Sequence, residues 1–273
     1  MSLLGTRVTS ITVAILVGLG ALAWWNTVGQ SHSMSAMVTG LAQVGHREPN
    51  DMSAIVFLTM WVVMMVAMMF PTIAPVVLAH RMVVRKRGEG ALPTVTFVGG
   101  YLAVWTFIGV VPLAAFFGFR HLSGATAQSR WVPTVGGFVL AIAGAYQFTR
   151  WKMLCLKACR SPMTFLMTHD FRKGARGAFR AGLSHGAYCL GCCWALMLVL
   201  VVVGLMNIVW MAAIALVFLA EKNWKHGVTL TKFAGVALLV FGLAVVVSPG
   251  ILARAGGSGG TSMPAGDHMG DMK

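Results

Sequence analysis

Charge is what this sequence has least of. Asp, Glu, Lys and Arg make up 10% of its 273 residues, and only seven are acidic, where a soluble domain carries roughly 25% charged residues. So little charge excludes a chain that exposes most of its surface to water. Signatures of nucleotide, dinucleotide and zinc-hydrolase sites are missing too: there is no Walker, Rossmann or HExxH pattern and no serine-nucleophile motif. No general acid/base pair with workable spacing stands out, so catalysis is not expected.

What is present is apolar. Hydrophobic residues make up 58% of the chain, gathered into runs long enough to cross a bilayer as helices. Seven candidate spans fall at 8–25, 53–79, 94–118, 132–149, 186–203, 206–221 and 230–249. The fifth and sixth are fused in one apolar block, split at Gly204-Leu205-Met206-Asn207 because a single helix of that length overshoots a bilayer. The first run lacks a small-x-small cleavage pattern and reads as a retained helix ending in Trp24-Trp25. The expected fold is an all-α polytopic transmembrane bundle of about seven spans.

The formal charge of +14 separates by side. With the N-terminus inside, sixteen of the 21 lysines and arginines fall on inner segments, including Arg81, Arg85, Lys86 and Arg87 and the cations between Arg150 and Arg180. The positive-inside rule then selects an N-in, C-out chain. The basic charge thus reports topology and anionic lipid rather than a nucleic-acid ligand. Residues 1–252 form one membrane domain with an outer loop at 26–52 and an inner segment at 150–182; residues 253–273 form a glycine-rich, flexible tail. Part of the inner segment, Trp151–Lys157, either continues the fourth helix or lies along the interface. The later stretch FRKGARGAFRAGLSHG reads as a surface-lying or linking piece. His32, Met34, Met37 and His46 in the loop, and Met263, His268, Met269 and Met272 in the tail, are soft donors suited to weak metal capture.

Three constellations carry candidate chemistry. In HGAYCLGCCW, His185, Cys189 and Cys192 share one helix face, with Cys193 beside it and Met197 one turn on. A histidine with thiolates suits copper(I) or zinc, and nearby methionine favours copper(I). The competing reading is packing, since cysteine behaves as a small hydrophobe and Gly186 and Gly191 permit close helix approach. In MWVVMMVAMMFPT, Met64 and Met68 continue a line from Met60, with Met65 and Met69 beside it; thioethers are neutral copper(I) ligands and equally good plastic packing. Cys155 and Cys159 repeat the one-turn spacing and fall on the same expected side as His185, where reducing conditions disfavour a disulfide. A zinc or copper clip between the inner segment and span five is the structural alternative. Glu221 and Lys222 close span six and read as helix-end anchors.

These motifs, in this order, with GLMNIVWMAAIALVFLAEKNW, resemble the DUF2182 family over most of residues 50–250. That family comprises bacterial integral membrane proteins described as predicted metal-binding, some labelled copper chaperones. The resemblance implies a membrane protein of the bacterial cytoplasmic (inner) membrane with a metal role. The expected function is a copper(I)-binding accessory protein that supports copper supply to, or assembly of, a membrane cuproenzyme. The alternative is a non-catalytic subunit of a larger membrane complex, its cysteines used in packing or a structural zinc site. Lipids and a membrane-protein complex are the expected partners.

Overall fold

The computed structural model describes residues 3–34, 53–115, 117–118, 131–168, 174–205 and 207–256. The loop donors Met37 and His46 and the tail donors Met263, His268, Met269 and Met272 lie outside the described residues. Every described element is a helix or a turn. In chain order these are α1 (Leu3–Met34), α2 (Ala54–Lys86), α3 (Leu92–Ile108), α4 (Trp131–Tyr146), α5 (Arg150–Arg160), α6 (Pro162–Thr168), α7 (Gly174–Val203), α8 (Ile208–Asn223), α9 (Gly227–Val247) and α10 (Gly250–Gly256).

Five described helical stretches, rather than seven, are long and apolar enough to cross a membrane: Ser10–Gly29, Ala54–Lys86, Leu92–Ala115, Gly174–Val203 and Gly227–Val247. The chain is a multi-pass membrane protein. The two that fall short are α4 and α8, each 16 residues long, or about 24 Å at the α-helical rise. Apolar composition alone overstated them. α4 unwinds at Gln147–Thr149, and Thr149 then caps α5 by accepting the amide of Lys152. α5 is therefore a separate element rather than a continuation of the fourth span. A second correction concerns the glycine–arginine stretch: residues from Gly174 onward are the first turns of α7, continuous with the cysteine-bearing helix. Between α7 and α8 the chain does break. Gly204 takes φ 126°, and Asn207 caps α8 through its side chain on the amide of Trp210.

Proline and tryptophan shape α2. Pro71 has no amide to give the carbonyl of Ala67, and the indole of Trp24 on α1 fills that vacancy at 2.9 Å. On the other flank, the Trp61 indole donates to the carbonyl of Trp105 at 2.8 Å. His80 stacks on Phe97 at 4.7 Å between ring centroids. Trp61 meeting Trp105 and His80 meeting Phe97 make α2 antiparallel to α3.

Glycines bring α3 and α7 into backbone contact. A Cβ at Gly182 would run into the carbonyl of Phe97, and one at Gly186 would press on Val104 at 3.0 Å. Numbers rise together on the two helices, so they run parallel. α4 and α9 make the same kind of approach through Gly137, Gly144 and Gly242. Lipid-facing apolar residues such as Ile11, Val95, Phe138 and Leu243 stay exposed, while the polar contacts concentrate where α2, α3, α5, α7 and α8 meet.

Candidate metal centre

Cys189, Cys192 and Cys193 lie at i, i+3 and i+4 on α7, the spacing that stacks side chains on one helix face. All three are buried, and their sulfurs lie within 4.8 Å of one another. Cys192 and Cys193 are 3.4 Å apart. A fourth thiol comes from α5: Cys159 is 3.8 Å from Cys192 and also buried. Sulfurs that share one tetrahedral ion at a metal–sulfur distance of about 2.3 Å sit about 3.8 Å apart. The donor set is therefore soft and close to the separation that one zinc or copper ion demands.

The expected donors divide. Cys159 reaches Cys192 but is not one of the three sulfurs that all lie within 4.8 Å of one another. Cys155, one turn earlier on α5, packs against Gly191, where a Cβ would come within 2.6 Å of its sulfur. Burial pushes the Cys155 thiol up, opposed by the Lys152 ammonium. His185 is one turn from Cys189 but outside the sulfur group. Its ring packs edge-on against Phe165 at 4.9 Å and near Phe97 and Tyr101 at about 6 Å. Met64, Met65, Met68 and Met69 are all buried in the core, and their helix reaches the cluster through Thr72, one turn past Met68.

That junction is polar. Lys222, at the end of α8, places Nζ 3.1 Å from the Cys189 sulfur and 3.2 Å from the Thr72 hydroxyl. The Tyr101 hydroxyl is 3.1 Å from the same sulfur. Lys222 also lies 5.8 Å from the centroid of the Phe218 ring, an added cation–π contact. Next to it, Lys152 is fully buried and pairs with Glu221 at 2.9 Å while donating to the carbonyl of Cys192 at 2.6 Å. Arg160 closes this side by donating to the carbonyls of Glu221 and Trp224, which the C-terminus of α8 leaves without intrahelical partners. Glu221 and Lys222 are thus interior groups facing different partners, not helix-end anchors. Two adjacent opposite charges closing an apolar run were the available signal. Lys152, Tyr101 and Thr72 carried none, because their sequence neighbours say nothing about α7.

Residues 58–245 match the PpoB2 family model, described as a copper chaperone. The chain belongs to the PpoB2 family. The match runs from the methionine-rich part of α2 through nearly all of α9, so it contains every residue of the thiol cluster and its polar surround. It supports a copper-related membrane family, under the PpoB2 name rather than as DUF2182 specifically. No curated protein and no solved structure matches the chain. In this PpoB2 chain, then, a metal-binding membrane role rests on two independent observations: the family match and a buried thiol group able to hold zinc or copper.

Proposed function

We propose that the protein carries copper(I) in the bacterial inner membrane and supplies it to a membrane cuproenzyme or its assembly. Copper is cargo in this reading. Cys189, Cys192 and Cys193 hold the ion, Cys159 offers a further thiolate, and Met64, Met65, Met68 and Met69 serve as weaker exchange ligands on α2. The single observation that supports it most is the three-sulfur group, whose softness suits copper(I). Burial excludes water and oxidants, and neutral thioethers can exchange the ion without releasing protons. The cation of Lys222 beside Cys189 favours an anionic thiolate–metal complex in a low-dielectric interior, where an unpartnered anion is costly.

One observation favours a second reading. Cys159 puts a fourth thiol beside Cys192, four thiolates are the composition of a closed structural zinc site, and such a clip would tie α5 to α7. Metal analysis of the purified full-length protein, beside a Cys189/Cys192/Cys193 triple serine variant, separates these. Copper in the wild type and its loss in the variant support the copper reading. Zinc in its place supports the structural clip. Metal content equal in both proteins would sink the cluster as the principal site.

A further inference from the structure

The thiol group has two very different approaches. Thr72 on α2, Cys189 on α7 and Lys222 on α8 meet at 3.1–3.2 Å. From that junction, α2 toward Ala54, α7 toward Val203 and α8 toward Ile208 all lead to the same end of the bundle, the end with the α7–α8 turn. The relative directions follow from the contacts of α2 and α7 with α3 and from the α7–α8 hairpin itself. Residues 54–71, 190–203 and 208–220 contain no Asp, Glu, Lys or Arg. They do contain buried thioethers at successive heights. Met68 is about 6 Å along its axis from Thr72, Met65 about 10 Å, Met64 about 12 Å and Met60 about 18 Å. Met197 is about 12 Å from Cys189 along α7, level with Met64, and Met211 is about 17 Å from Lys222 along α8, level with Met60. All six are buried.

The opposite approach is closed by charge. The buried Lys222 opens that side, and Arg160 stands beyond it, tying α5 to the end of α8 through the carbonyls of Glu221 and Trp224; Lys152 is instead balanced by Glu221 at 2.9 Å and donates to the Cys192 carbonyl. A monovalent cation moving past Lys222 and Arg160 meets like charge. Toward the turn the three helices carry no charged side chain, and among their buried apolar residues are neutral, polarisable thioethers flexible enough to exchange places around an ion.

We infer that copper(I) enters and leaves the thiol group from the α7–α8 turn end, by ligand exchange along a three-helix thioether column formed by Met60, Met64, Met65, Met68, Met197 and Met211. This rests on the proposed copper-carrying function and adds to it the side of access and three ligands, Met60, Met197 and Met211, on three different helices. Lysine and arginine bias assigns that end to the outside.

The test follows filling of the full-length protein in detergent micelles with copper(I) supplied as its bicinchoninate complex, read by the ultraviolet thiolate-to-copper charge-transfer band. A Met60→Leu/Met64→Leu/Met211→Leu variant keeps core volume nearly constant. It should fill at least about tenfold more slowly, equivalent to ~1.4 kcal/mol on the barrier, and reach the wild-type end point. Met211→Leu alone, the mildest change, should also slow filling, so the inference remains testable if the triple variant misfolds. Met82→Leu, half exposed on α2 near its charged end, should fill like wild type. Wild-type filling rates in the triple variant, or in Met211→Leu if the triple misfolds, overturn the column and leave the cysteine site standing. A wild-type protein that never develops the band overturns both.

Discussion

Lys222 Nζ lies 3.1 Å from the sulfur of Cys189, although 33 residues separate them. The contact is a consequence of hairpin symmetry. Cys189 stands fourteen residues before Val203, and Lys222 fourteen residues after Ile208. Two helices of equal rise folded back at one turn bring equal counts to equal depth.

That lysine should matter to the metal more than to the fold. Lys222→Met keeps the length of the side chain and removes its charge. A hydrogen bond to a charged group contributes about 1.5–3 kcal/mol, so copper(I) retention is expected to fall by roughly ten- to a hundredfold in competition against bicinchoninate. Unchanged retention would show that the ammonium does nothing for the bound complex.

Lys152 and Glu221 should behave in the opposite way. Glu221→Gln strands a fully buried ammonium, and breaking a buried pair from one side costs about 3–5 kcal/mol. Thermal unfolding in detergent should drop sharply. The double change Lys152→Met/Glu221→Leu removes both charges and should recover most of the loss, because an apolar pair of similar volume often does as well. A double variant as unstable as Glu221→Gln would contradict this account of the ion pair.

The α3–α7 contact makes a third prediction. Gly182→Ala sets a methyl against the carbonyl of Phe97, with the amide of Tyr101 at 3.1 Å, and neither backbone can yield without parting the helices. A loss of about 1–3 kcal/mol is expected. Gly99→Ala on the same helix pair has nothing within 4 Å and should be neutral or stabilising by about 0.5–1 kcal/mol. Equal effects at the two glycines would argue against close approach.

The five cysteines should label in order of access. Cys155 is half-buried and the others are buried. A water-soluble maleimide should therefore reach Cys155 first. Burial pushes that thiol up, which shrinks its thiolate fraction at neutral pH. Labelling should start slower than for a free cysteine and climb as pH passes the ordinary thiol range of about 8.5. Peptide mapping across a pH series checks this; Cys189 modified as fast as Cys155 at neutral pH would refute the burial order.

Long apolar runs with almost no charge could only become membrane helices, since a buried backbone must satisfy its own hydrogen bonds. The sequence by itself therefore determined the all-α membrane class. It also determined the cysteine face of α7, because 3.6 residues per turn place positions 189, 192 and 193 together in any helix. The break at Gly204–Asn207 was legible from length alone. Hydropathy could not say where α4 and α8 stop, because caps and unwinding, not apolarity, set helix ends; that is why five long apolar helices stand among the described residues where seven spans were expected.

The partners of the thiols belonged to the tertiary structure. Cys159 reaches Cys192, Lys222 faces Cys189 instead of its neighbour Glu221, and Glu221 turns to Lys152. Each pairing joins residues 33 to 69 positions apart. Local periodicity carries no information at such separations. Only the packing of α5, α7 and α8 decides which buried charge meets which, and so which thiol stands beside a cation.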